Sequence, residues 1–119
     1  MSDEFIKIAT TEINDEISAI SSILNSCTTN EDVFQNSKEL QSHTHKIKGL
    51  APMMGQEELG SICSMLDAVL KQINDGKKIE GIYDIFTESL PFMKNSMSEP
   101  GYDMRSIIDK VTSFSSNVK

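Results

Sequence analysis

His45, Lys48 and Gly49 are the residues of this chain best placed to do chemistry, because helical spacing joins them. A neutral imidazole offers a nitrogen lone pair, and in His45-Lys46-Ile47-Lys48-Gly49 that nitrogen is a nucleophile suited to carrying a phosphoryl group. Lys48 lies three residues on, on the same helix face, and can offset the incoming negative charge. Gly49 lies four residues on and strips side chain from that face, so another protein's active site can come close. A mid-helix glycine costs about 1 kcal/mol against alanine. An ordinary surface helix gains nothing in return.

Apolar periodicity predicts the elements that hold this pentapeptide. Five helices are expected, over about 3–26, 31–51, 56–75, 80–97 and 102–117, with no convincing strand. The first carries Ile6, Ile13, Ile17, Ile20 and Leu24 behind a capping Ser2. The second has Val33, Ser37, Leu40, Thr44 and Ile47 inward, with Asn30 as N-cap. Pro52-Met53-Met54-Gly55 ends it as a turn. Leu59, Ile62, Leu66, Val69 and Ile73 give the third, closed by Gly76. The fourth carries Ile82, Ile85, Phe86, Leu90, Met93 and Met97, with a kink or break expected at Pro91. The last turns Met104, Ile107, Ile108, Val111 and Phe114 inward. Short connections favour antiparallel neighbours. The expected fold is all-α: an up-and-down four-helix bundle with a fifth, C-terminal helix packed on it, as one domain over 1–119.

Each helical residue advances about 100°. With Thr44 at the centre of the buried stripe, His45 falls at the edge of the core, partly exposed. Lys38, Gln41, Lys48, Gly49 and Pro52 share its flank. His43 lies on the opposite flank, so the two imidazoles cannot serve one site. His-x-His therefore does not suggest a metal pair, since helical ligands favour i, i+3 or i+4 spacing. The Glu-x-x-His of di-iron bundles is also absent, because Leu40 and Ser42 precede the two histidines by three. No metal site is expected.

Eleven Lys and Arg against 18 Asp and Glu leave a net charge of −7, which argues against nucleic acid or an anionic membrane as partner. No apolar run is long enough to span a bilayer, and the acidic start lacks the features of a signal peptide. A cytoplasmic location is expected. Cys27 and Cys63 read as reduced thiols. No helix shows an apolar outer face that would demand a dimer, so a monomer is expected. The chain carries neither a phosphate-binding Gly-x-x-x-x-Gly-Lys loop nor a kinase signature, so no cofactor is expected on it.

From His45-Lys46-Ile47-Lys48-Gly49-Leu50-Ala51-Pro52-Met53-Met54-Gly55 onward, the chain resembles the histidine phosphotransfer (HPt) family. It is most similar to the N-terminal phosphotransfer domains of chemotaxis kinases of the CheA type. Glu57, Leu59, Ile62, Met65-Leu66-Asp67, Val69-Leu70, Ile73 and Gly76 extend the likeness. The family pattern is His-x-x-Lys-Gly, a second glycine six residues later and a carboxylate on the next helix.

That resemblance implies a phosphocarrier rather than an enzyme in its own right. His45 would be the phosphorylation site, Lys48 its neighbouring cation, Gly49 the clearance residue and Gly55 the turn glycine. Asp67 stands where CheA-type domains usually have glutamate, which orients the imidazole through its other nitrogen. Ser64 stands where many have a second histidine. The implied partners are a histidine kinase ATP-binding domain and a response-regulator receiver domain, and ATP and Mg²⁺ belong to them. Lys38, Lys46 and Lys48 would form a basic docking island facing an acidic receiver pocket, with Leu50, Met53 and Met54 as apolar contacts. The competing expectation is a helical interaction module in which His45 does no chemistry.

Overall fold

Ser2 starts the first helix: its hydroxyl accepts the Phe5 N–H at 3.1 Å. The computed structural model describes residues 2–118, so Met1 and Lys119, the ends of the expected domain, lie outside the described residues. Helix α1 (Asp3–Asn25) buries Ala9, Ile13, Ile17, Ile20 and Leu24. Ile6, expected in that stripe, is 40% exposed. No described residue before Ala9 is buried, so the first turns of α1 reach past the part of the bundle that would cover them.

The helix expected over 31–51 is two helices, α2 (Asn30–Gln35) and α3 (Ser37–Leu50). Asn36 interrupts them. Its side-chain amide donates to the Asp32 carbonyl at 2.8 Å, competing for an acceptor the helix would use. The apolar stripe stays in phase across this single residue, so periodicity hides the break. The N-cap of α2 is Thr29, in a reciprocal capping box with Asp32, and not Asn30. Donors from Thr28 and Thr29 hold the Asp32 carboxyl below its usual range. Asn30 instead accepts the Tyr83 N–H at 2.9 Å, serving the first turn of another helix.

A 3-10 turn at Pro52–Met54 and Gly55, at φ 77°, lead into α4 (Glu57–Asn74). Gly76, at φ 103°, closes α4, and the Lys77 N–H reaches back to the Gln72 carbonyl at 3.0 Å. Helix α5 (Ile82–Ser98) begins after Gly81 and runs through Pro91, so of the expected kink or break the break does not occur. Helix α6 (Arg105–Ser116) starts three residues later than expected. Asp103 accepts the Arg105 N–H at 3.0 Å and also pairs with its guanidinium, while the Tyr102 ring packs edge-on against Phe92.

Helices α3 and α4 run antiparallel. The pairs Ser37–Asn74 and Gln41–Asp67 and the approach of Pro52 to Gly60 fix the direction. Helix α1 lies against α3 and α5, and α6 lies against both α4 and α5. Among the described residues the result is an all-α bundle whose six helices share one contiguous apolar core, with Phe86, Leu66, Ile20, Leu40, Val33 and Ile107 among its members. Among the described residues no helix is long and apolar enough to cross a membrane.

Two helical glycines differ in kind, Gly49 in the last turn of α3 and Gly60 in the first turn of α4. A Cβ on Gly60 would sit 2.9 Å from the Pro52 ring, so α4 can pack on the turn only because side chain is missing there. A Cβ on Gly49 would meet nothing within 4 Å. Gly60→Ala is expected to cost about 1–3 kcal/mol by overpacking. Gly49→Ala is expected to add about 0.5–1 kcal/mol through helix propensity. Urea unfolding of the two variants should give opposite signs; equal signs would contradict this packing. A second expectation concerns acid. The side-chain hydrogen bond from Arg105 is the main cause holding the Asp103 carboxyl down to about 2. Its folded value is depressed, so its contribution to stability is full above the ordinary carboxylate pKa of about 3.9 and fades as pH falls toward the folded value. An NMR titration of Asp103 should show this low midpoint, and Arg105→Ala should return it toward the ordinary range.

Candidate functional site

The α3 flank at the α4 seam carries an imidazole over a buried carboxylate. The His45 side chain is 60% exposed, and its Nδ1 lies 3.6 Å from Oδ2 of Asp67, whose side chain is only 1% exposed. Asp67 belongs to α4 and lies on the face that packs toward α3. Two lysines reach the same oxygen: Lys48 Nζ at 3.6 Å from α3 and Lys71 Nζ at 3.8 Å from α4. The other oxygen, Oδ1, accepts the Gln41 side-chain amide at 3.0 Å. A buried carboxylate is costly unless it is hydrogen-bonded and paired. Here one hydrogen bond and three groups that are or can become cationic surround it.

The contact of His45 with Asp67 is an ion-pair distance and too long for a hydrogen bond. A negative oxygen facing Nδ1 still favours the proton on that nitrogen, leaving the lone pair on Nε2 at the far side of the ring. The arrangement can therefore present a neutral, outward nucleophile with ammonium groups beside it.

Polar pairing continues along the α3–α4 seam. Asn74 donates its amide to Gln41 Oε1 at 3.4 Å, and the buried Ser37 hydroxyl donates to Asn74 Oδ1 at 2.6 Å. Buried Thr44 donates to the Gln41 carbonyl at 3.1 Å, as befits the middle of the inward stripe.

His45, Lys48 and Asp67 are thus brought together. Gly49 follows them into open space. Lys38 is exposed on the same flank, two turns before His45. Lys46 is not part of this cluster. Its Nζ lies 3.4 Å from Oε1 of Glu16 on α1, where His43 Nδ1 also pairs with Glu16. The expected basic island is therefore divided: one more helical step of about 100° carries Lys46 off the flank of His45. Met53, in the turn that follows α3, is 51% exposed, whereas Leu50 and Met54 pack partly into the core. Sequence reasoning missed Lys71, although its i, i+4 spacing from Asp67 was a usable signal. The roles of Gln41, Asn74 and Ser37 had no sequence signal, because they depend on the α3–α4 register.

Among the described residues no three His, Cys, Asp or Glu side chains group so as to hold a metal ion. In comparisons with protein-family models, curated proteins and solved structures, no match to this chain was found.

Cys63 lies one turn before Asp67 on α4, free and fully buried. Burial first, and the Asp67 charge second, push its thiol far above the usual range. Burial likewise raises Cys27, with Asp32 contributing. Both thiols are expected to resist Ellman's reagent in the folded protein and to react together on unfolding. Rapid reaction of Cys63 in the native state would contradict the seating of α4.

Proposed function

We propose that this chain is a phosphocarrier of the histidine phosphotransfer type, with His45 as the group that accepts and passes on a phosphoryl group. The observation that carries the reading is the exposed imidazole whose Nδ1 faces a buried carboxylate while Lys48 shares that carboxylate. In the forward step, Nε2 attacks the γ-phosphorus of ATP held by a separate kinase domain. The N–P bond forms as the bond to the ADP oxygen breaks, and ADP leaves. In the second step, an aspartate carboxylate of a receiver domain attacks the same phosphorus and His45 leaves as imidazole. The partners supply Mg²⁺ and the electrostatics that phosphoryl transfer requires. This chain supplies a positioned nucleophile, Lys48 for charge and the open surface at Gly49 for approach.

Lys38 and the half-exposed Met53 border that surface and fit an acidic, partly apolar partner face. Lys46, half exposed and paired with Glu16, would join that surface only from its α1 side. The CheA-type assignment, the cytoplasmic location and the monomeric state belong to this proposal and follow from the resemblance and the surface pattern.

A chemotaxis-type kinase core with ATP is expected to label the chain with an acid-labile, alkali-stable phosphate. His45→Gln should abolish the label and His43→Gln should retain it; the reverse would falsify the site assignment. Lys48→Ala should slow labelling on the order of a hundredfold, the low end of what losing one charge-stabilising donor costs, with unchanged circular dichroism. An unfolded Lys48→Ala would make that lysine structural instead.

A further inference from the structure

The polar seam between α3 and α4 has a direction. The Ser37 hydroxyl donates to Asn74 Oδ1, which turns the Asn74 amide nitrogen toward Gln41 Oε1. That contact turns the Gln41 amide nitrogen toward Asp67 Oδ1 at 3.0 Å. Each side-chain amide is oriented by the link before it, because one end can only accept and the other only donate. The last link fixes the rotation of the Asp67 carboxylate about its terminal bond. With Oδ1 held by Gln41, Oδ2 is the oxygen left to face His45, Lys48 and Lys71.

We propose that Gln41 is a positioning residue for His45: anchored through Asn74 and Ser37, it aims the Asp67 carboxylate and thereby sets which imidazole nitrogen carries the proton. This rests on the reading of His45 as the phosphoryl acceptor and adds a residue to it. The need for such an anchor follows from the 3.6 Å separation. A carboxylate that hydrogen-bonds Nδ1 is oriented by that bond. Asp67 stops short of one, so its orientation must come from elsewhere. Gln41 is one turn before His45 on the same flank, and its amide makes the one side-chain hydrogen bond given to either Asp67 oxygen among the described residues.

Imidazole ¹⁵N shifts at alkaline pH, where the ring is neutral, report the tautomer directly. In the unmodified protein His45 is expected mainly as the Nδ1–H form. Gln41→Met, close to isosteric but without the amide, should move it toward the mixture of an unrestrained ring. His43, seated on Glu16, should not move. Ser37→Ala, two links further away, should give a smaller shift in the same direction. Phosphoramidate transfers phosphoryl to histidine with loss of ammonia and needs no docking partner. It should phosphorylate His45 roughly tenfold more slowly in Gln41→Met, the low end of what losing an outer partner of a histidine costs in metal sites.

A folded Gln41→Met variant with unchanged tautomer and unchanged rate overturns the proposal. If Gln41→Met does not fold, the Ser37→Ala shift decides instead. The tautomer measurement does not depend on phosphoryl transfer. A chain that takes up no phosphate therefore sinks the functional reading while leaving this test intact.

Discussion

The Asp67 carboxylate is the constraint on which the α3–α4 pair depends. It is almost wholly removed from solvent, and an unpaired ion there would cost several kcal/mol. Its partners come from both helices: Gln41, His45 and Lys48 from α3, and Lys71 from α4 itself. Sliding α3 along α4 by one turn would strip the carboxylate of three of these at once. The register of the two helices is thus tied to the geometry of the histidine. Removing the carboxylate alone would leave the Gln41 amide without its acceptor and Lys48 and Lys71 without their shared counter-ion.

The two histidines of α3 use the same local grammar to different ends. Each has a lysine three residues later and a carboxylate from a neighbouring helix against Nδ1: Glu16 of α1 for His43, Asp67 of α4 for His45. They differ in exposure and in the residue four positions on. His43 is partly covered, and Ile47 follows it into the core. His45 stands mostly in solvent, and Gly49 follows it into open space. One imidazole ties α1 to α3. The other is held from below and left free above.

How much could be read in advance follows from what each feature depends on. The inward stripes of α3, α4 and α5, the flank of His45 and the turn at Gly55 depend on residues within a few positions of one another, so periodicity and turn chemistry carried them. Asn36 escaped because a one-residue interruption leaves the stripe in phase. Asn30 looked like a local cap, and its true target, Tyr83, lies across the bundle. Ile6 matched the helical period but has nothing to pack against, and period alone does not say where a partner ends. Asp67 could be named from spacing and resemblance. The chain of Gln41, Asn74 and Ser37 behind it could not, because it exists only once two helices are set in register.

Gly49 and Gly60 complete the argument about direction. Gly49 lies in the last turn of α3 and Gly60 in the first turn of α4, where glycine costs at most about 1 kcal/mol against alanine. At Gly60 the fold returns something for it: the Pro52 ring occupies the space a side chain would take, and the turn before α4 packs tightly. At Gly49 nothing inside the molecule does, because the space is empty. The open space at Gly49, one turn from an exposed imidazole and beside Lys48, leaves that ring reachable from outside the bundle.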